Sequence, residues 1–173
     1  MSSAAKPIAS YQDLVDFLQS ERVPHELEPA TQSAQIPTEQ KGVRGVQVIR
    51  WQTEDGVIQF IQSMLRDIPE ARLPAVESAV ARLNHALAWL GLDLNHERFV
   101  LAYRLAVPFL PRGAVEGAEI QSGFRAAAKA GAELTPLLAR VVAGELAPEA
   151  VVAEARKAMI ASARASGYPL PVD

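Results

Sequence analysis

VQVIRWQT (Val46–Thr53) and VIQFIQSML (Val57–Leu65), joined by Glu54-Asp55-Gly56, form the segment that decides how this chain folds. β-Branched and aromatic residues dominate both runs, and such side chains fit a pleated strand. Asp-Gly suits a tight type I′ turn, in which both central residues take positive φ. With Asp55 and Gly56 as the turn, Glu54 pairs with Val57 and Trp51 with Phe60. One face of the hairpin then carries Ile49, Trp51, Ile58, Phe60 and Met64. The other carries Val46, Val48, Val57, Ile61 and Leu65.

Both faces are therefore substantially apolar. An antiparallel sheet with one wet face alternates more cleanly between apolar and polar positions. Two covers are implied: helices on one face, and on the other a second helix layer, a long loop or another chain. Trp51, Phe60 and Met64, with Ile49 and Ile58, are the candidate protein-binding set, because aromatic residues and Met are enriched where proteins meet. The competing reading makes this same face plain core. One of the two faces must be core, and the pattern leaves open which.

Upstream, residues 1–9 read as an irregular start. Ser10 reads as a helix N-cap, with Asp13 three residues on. Tyr11, Leu14, Val15 and Leu18 follow at helical spacing. Pro24 is expected to end this helix, since the residue before a proline is pushed out of the α region. His25 to Glu28 reads as a short strand. Pro29 to Gly45 is polar, holds Pro37, Gly42 and Gly45, and is expected to be a loop.

Downstream, RDIPEAR (Arg66–Arg72) reads as a turn. Leu73-Pro74 opens a helix, where proline is tolerated in the first turn. Leu73, Val76, Val80, Leu83, Leu87 and Leu90 recur at helical steps and form an apolar stripe. Gly91 sits where a left-handed C-cap is expected. LDLN (Leu92–Asn95), a turn near Asn95–Glu97 and RFVLAYRLAV (Arg98–Val107) read as a second hairpin, ended by Pro108. Val115 to Ala143 is helical, with Gly131 and Pro136 expected to kink or split it and Gly144 to cap it. From Pro148 an Ala-rich helix runs toward Ser166, before a Pro-rich tail. Two antiparallel hairpins separated by a helix define an α+β class: an antiparallel sheet of about five strands with helices packed on it, plus an extra C-terminal helix.

The chain has 173 residues, enough for one domain with a core that needs no metal or disulfide staple. Its 17 Lys plus Arg against 20 Asp plus Glu leave a net charge of −3. That balance argues against a phosphate-backbone binder, whose affinity comes from clustered cations, so no nucleic acid partner is expected. The absence of cysteine excludes disulfides, thiolate nucleophiles and Cys-ligated metal. MSSAAKPIAS holds one Lys and no apolar signal region, and no stretch approaches the ~18 apolar residues of a membrane span. A cytoplasmic protein without a membrane partner is the expectation.

Catalytic chemistry finds little support. His25, His85 and His96 lack the i, i+4 spacing of metal ligands, so no metal and no cofactor is expected. Asn84 follows Leu83 of the apolar stripe and reads as a residue that satisfies backbone at a sheet edge. The carboxylate pairs Glu54/Asp55, Asp67/Glu70 and Asp93/Glu97 all fall at turns, where Asp belongs for backbone reasons. No nucleophile elbow, phosphate loop or dinucleotide fingerprint is present.

Several ordered segments resemble the YbjN family, whose fold is like that of type III secretion chaperones. They are DIPE (Asp67–Glu70) after a hairpin, ARLN (Ala81–Asn84) in a helix, Leu90-Gly91 before LDLN, VLAYR (Val100–Arg104) running into Pro108, and LLARVVAGE (Leu137–Glu145) closing a helix. The resemblance covers residues 10–145, with 146–173 as an added helix and tail. It implies an α-β-β-β-α-β-β-α domain, no catalytic residues, protein binding or regulation as the role, and a homodimer. The expectation is a non-enzymatic protein-binding module, chaperone-like or regulatory, with a protein partner. The alternative is a small enzyme or ligand-binding protein with a pocket between sheet and helices, where Asn84, His85 and Arg104 converge.

Overall fold

The computed structural model describes residues 6–87 and 91–165. In chain order they form helix α1 (Tyr11–Ser20), strands β1 (Glu26–Glu28), β2 (Ser33–Gln40), β3 (Val43–Gln52) and β4 (Val57–Leu65), then helix α2 (Leu73–Ala86). Strands β5 (Leu92–Asn95) and β6 (Val100–Pro108) and helices α3 (Gly117–Ala143) and α4 (Val151–Ala165) follow. Six strands make one antiparallel sheet in the order β1-β2-β3-β4-β6-β5. This is the expected α+β arrangement with one strand more.

The additional strand is β2, inside the segment expected to be a loop. Its pairing with β3 leaves Lys41 and Gly42 as a two-residue turn, both at positive φ, as a type I′ hairpin requires. Pro37 sits in this strand because β1 pairs only with Ser33 to Gln35, so among the described residues no strand pairs the outer edge beyond Gln35. Proline is tolerated there, where its missing N–H is not needed.

The β3–β4 hairpin forms in a different register from the expected one. Gln52 pairs with Val57, Trp51 with Ile58 and Ile49 with Phe60, so Thr53 to Gly56 make a four-residue loop. Packing against the end of β6 holds that loop: Phe109 N–H donates to Gly56 O at 2.9 Å, and a Cβ on Gly56 would stand 2.4 Å from Leu110 Cδ1. The slip is two residues, and side chains alternate with period two, so both faces keep their residues. A bulge between Ser63 and Leu65 ends that alternation, so Leu65 pairs with Leu101 of the core face.

All of α1, α2 and α3 lie on one side of the sheet. α1 starts at Ser10, whose Oγ accepts the Asp13 N–H at 3.1 Å. It stops at Ser20, ahead of Pro24, because Arg22 turns left-handed (φ +55°) and Val23 N–H returns to Leu18 O. That is a Schellman closure with arginine at the usual glycine position. α2 likewise ends before Gly91: Leu87 is extended, and the Leu90 end of the expected stripe lies outside the described residues. Gly91 is not a left-handed cap. A Cβ there would meet Arg104 O at 2.2 Å, so glycine lets this backbone approach β6.

α3 runs as one 27-residue helix through Gly131 and Pro136, so neither residue splits it as one form of the expectation had it. Gly131 is a packing residue, since its Cβ would stand 2.6 Å from Gln62 Cγ. Gly123 does the same over Phe60, at 2.5 Å from the ring. Helix and sheet therefore approach closely. Pro136 is exposed, and buried Leu134, Leu137, Leu138 and Val141 hold the helix on both sides of it. Gly144 caps it left-handed, as expected (φ +81°). α4 packs on α2 and α3 and buries Val151 and Ala155 in the same core. Lys41 ties the β2–β3 turn to it through Ser162 Oγ at 2.9 Å.

Candidate protein-binding surface

The registers sort every sheet side chain onto one of two faces. Ala34, Ile36, Ile49, Trp51, Ile58, Phe60, Leu101 and Tyr103 point toward the helices and are buried. Ile49, Ile58 and Phe60 have no exposed surface, and Trp51 stacks on Phe109 with ring centroids 4.5 Å apart. Four of the five residues expected to meet a partner are thus core of this chain. Met64, the fifth, is half-buried at the bulge and packs on that core. The correction has a plain cause: Gly123 admits the Phe60 ring against α3, so the bulkier face is the one the helices cover.

Val46, Val48, Val57 and Ile61 point the other way, together with Arg50, Gln52, Gln59 and Ser63. These side chains remain partly accessible. Among the described residues no helix is placed over them. Val48 and Ile61 are register partners, and Val46 lies two residues along β3 on the same face. They form an apolar strip across the middle of the sheet. At its flanks Arg44 pairs with Glu39 at 3.0 Å, and Arg104 with Asp93 at 2.8 Å. Arg50 sits in the middle and has no ion pair among the described residues.

A hollow of about 490 Å³ adjoins Arg50, lined by Thr31, Gln32, Gln52, Glu54 and Asp55. Arg50 Nε and Gln52 Oε1 are closed off from solvent and have no hydrogen-bond partner. Buried polar atoms usually have one, and these two have none among the described residues.

Of the residues expected to converge in the alternative site, Asn84 and Arg104 have other partners. Asn84 Nδ2 donates to Leu92 O at 2.9 Å and its Oδ1 accepts the Leu92 N–H at 3.0 Å. It fastens edge strand β5 to α2, as its place after Leu83 suggests. Arg104 is held by Asp93, and His85 is exposed. His96 Nε2 lies 3.9 Å from Glu77, and His25 Nδ1 lies 2.7 Å from Val23 O. Burial raises the Tyr11 and Tyr103 hydroxyls, and displaced carboxylate ionisation belongs to caps and ion pairs. Lys6 and the Ser10 hydroxyl bring Asp13 down to about 2, Arg112 and the Glu116 N–H lower Glu119, and Lys157 lowers Glu154. Among the described residues no group of three or more His, Asp or Glu side chains is arranged to hold a metal, and no helix is long and apolar enough to cross a membrane.

Comparison with solved structures places this fold. YbjN from E. coli, a candidate transcription regulator, superposes with a TM-score of 0.50 at 13% identity, over 96% of this chain and 100% of that one. The HopA1–SchA chaperone–effector complex matches at 11% identity and a TM-score of 0.45, over 69% of this chain and 88% of that one. No family model and no curated protein matches the sequence. The chain has the YbjN fold. The described segments that resemble that family in the sequence fall on the turn before α2, on α2, β5 and β6, and at the end of α3.

Proposed function

We propose that this chain is a non-enzymatic protein-binding module, chaperone-like or regulatory, that acts as a cytoplasmic homodimer and binds a protein partner through the open sheet face. One observation carries the reading: Val46, Val48, Val57 and Ile61 lie together on a sheet surface over which the described residues place no helix. Val46, Val48 and Ile61 adjoin one another and are partly accessible, and an apolar patch left open on a protein surface marks an interaction site. The YbjN-like fold supports it by analogy, which for function is the weaker support. Light scattering is expected to give a dimer mass. Tagged protein expressed in its native cells is expected to retain a partner that Val48→Lys releases, with the melting temperature unchanged. A monomer, or the same retained proteins with and without Val48→Lys, would defeat the reading.

A further inference from the structure

Resting on that reading of the open face, we infer that the partner is a protein segment carrying one carboxylate beside apolar residues, and that Arg50 receives the carboxylate. Charge pairing across the face points to Arg50. Its neighbours Arg44 and Arg104 are already neutralised by Glu39 and Asp93. Among the described residues Arg50 is the cation at the centre with no acid of its own. Glu28 lies in its row two strands away, across Ser33, which is about 10 Å at ordinary strand spacing. Glu54 and Asp55 line the adjoining hollow without pairing with it.

The position also matters. Arg50 opposes Gln59 and stands between Val48 and Gln52 on β3. The backbones of Arg50 and Val48 lie about 7 Å apart, two residues along a strand, so one bound segment can reach both. Arginine with a bidentate carboxylate is also the strong form of charge-assisted hydrogen bond. The rim acids Glu54 and Asp55 disfavour a polyanion, so a single carboxylate fits and a phosphate backbone does not. A second copy of this chain fits poorly: a two-fold axis near β3 would set two Arg50 side chains against each other.

A random dodecapeptide phage library panned on the intact protein, its Arg50→Gln and Arg50→Glu variants and Val48→Lys tests this. Wild type is expected to enrich peptides with one Asp or Glu next to apolar residues. Arg50→Gln should lose the acid preference and keep the apolar one, and Arg50→Glu should turn it toward Lys or Arg. Circular dichroism melting checks that each variant folds. Apolar peptides without acid, unchanged in both Arg50 variants but lost in Val48→Lys, would overturn the inference and spare the open-face reading. Enrichment that survives Val48→Lys would overturn both, and no enrichment at all would overturn the inference. A dimer that Val48→Lys dissociates would make a second copy the occupant and also overturn it.

Discussion

The two faces of the central hairpin have nearly equal numbers of apolar side chains, yet one is sealed and the other open. Ile49, Trp51, Ile58 and Phe60 are closed under α3 and Phe109, whereas Val46, Val48, Val57 and Ile61 stay partly accessible. The difference lies less in hydrophobicity than in size and company. The sealed face has the larger side chains and meets glycines in the helix above it. The open face has smaller β-branched residues and shares its rows with Arg50, Gln52, Gln59 and Ser63. Shape complementarity, more than greasiness, decides which side becomes core.

Truncating neighbouring residues on opposite faces separates the two environments most strongly. Phe60→Ala is expected to lower unfolding stability by about 3–5 kcal/mol, the usual loss for a buried aromatic. Ile61→Ala, on the half-open side, should lose about 1 kcal/mol. Urea unfolding of both variants reads the contrast, and equal losses would mean that the open face is covered in solution.

Gly123→Ala probes the fit of α3 on the sealed face. Its Cβ would enter the Phe60 ring at 2.5 Å, and overpacking of this kind destabilises by about 1–3 kcal/mol. Alanine's better helix propensity recovers up to about 1 kcal/mol of that, so a net loss is expected. A net gain would place the helix farther from the sheet.

The smallest effect concerns the cap of α1, which closes one end of the sealed face. Asp13 is held at about 2 by Lys6 and Ser10, below the ordinary value near 4 in an unfolded chain. A depressed carboxylate stabilises the fold above its unfolded value and loses that contribution as pH falls through the folded one. The contribution, about 1 kcal/mol for a cap of this kind, is therefore expected to be complete above pH ~4 and gone near pH ~2. The wild-type stability advantage over Asp13→Asn, followed by denaturant unfolding across that window, checks the sign. An advantage that grows on acidification would contradict it.

Much of this fold was legible. Ser10 and Asp13 announced the first helix, Gly144 its counterpart at the end of α3, and Asn84 its backbone role. The sheet faces survived an error in the turn because a two-residue slip does not change a period of two. β2 was hidden for a physical reason: Ser33 to Gln40 has only Ala34 and Ile36 as apolar residues on its core face, and a proline at an edge that no described strand pairs. Its one local signal was Lys41-Gly42, a turn that suits positive φ. The helix through Pro136 was hidden because burial on both sides outweighs a missing hydrogen bond. The candidate surface was half legible. Arg50, Gln59 and Ser63 already marked the Val46–Ile61 side as the more polar one, but bulk and aromaticity drew attention to the opposite side.

Local pattern alone determined the α+β class, the order of the elements and the membership of each sheet face, because these depend on spacing and on turn and cap chemistry within a few residues. Which face is core, where Gly91 and Gly131 are needed and which arginine of the open face lacks an acid among the described residues depended on groups distant in sequence. α3 reaches Phe60 from Gly123, Asp93 reaches Arg104 across a strand pair, and among the described residues no acid reaches Arg50. Close approach and charge pairing are properties of the assembled chain, and no window of sequence contains both partners.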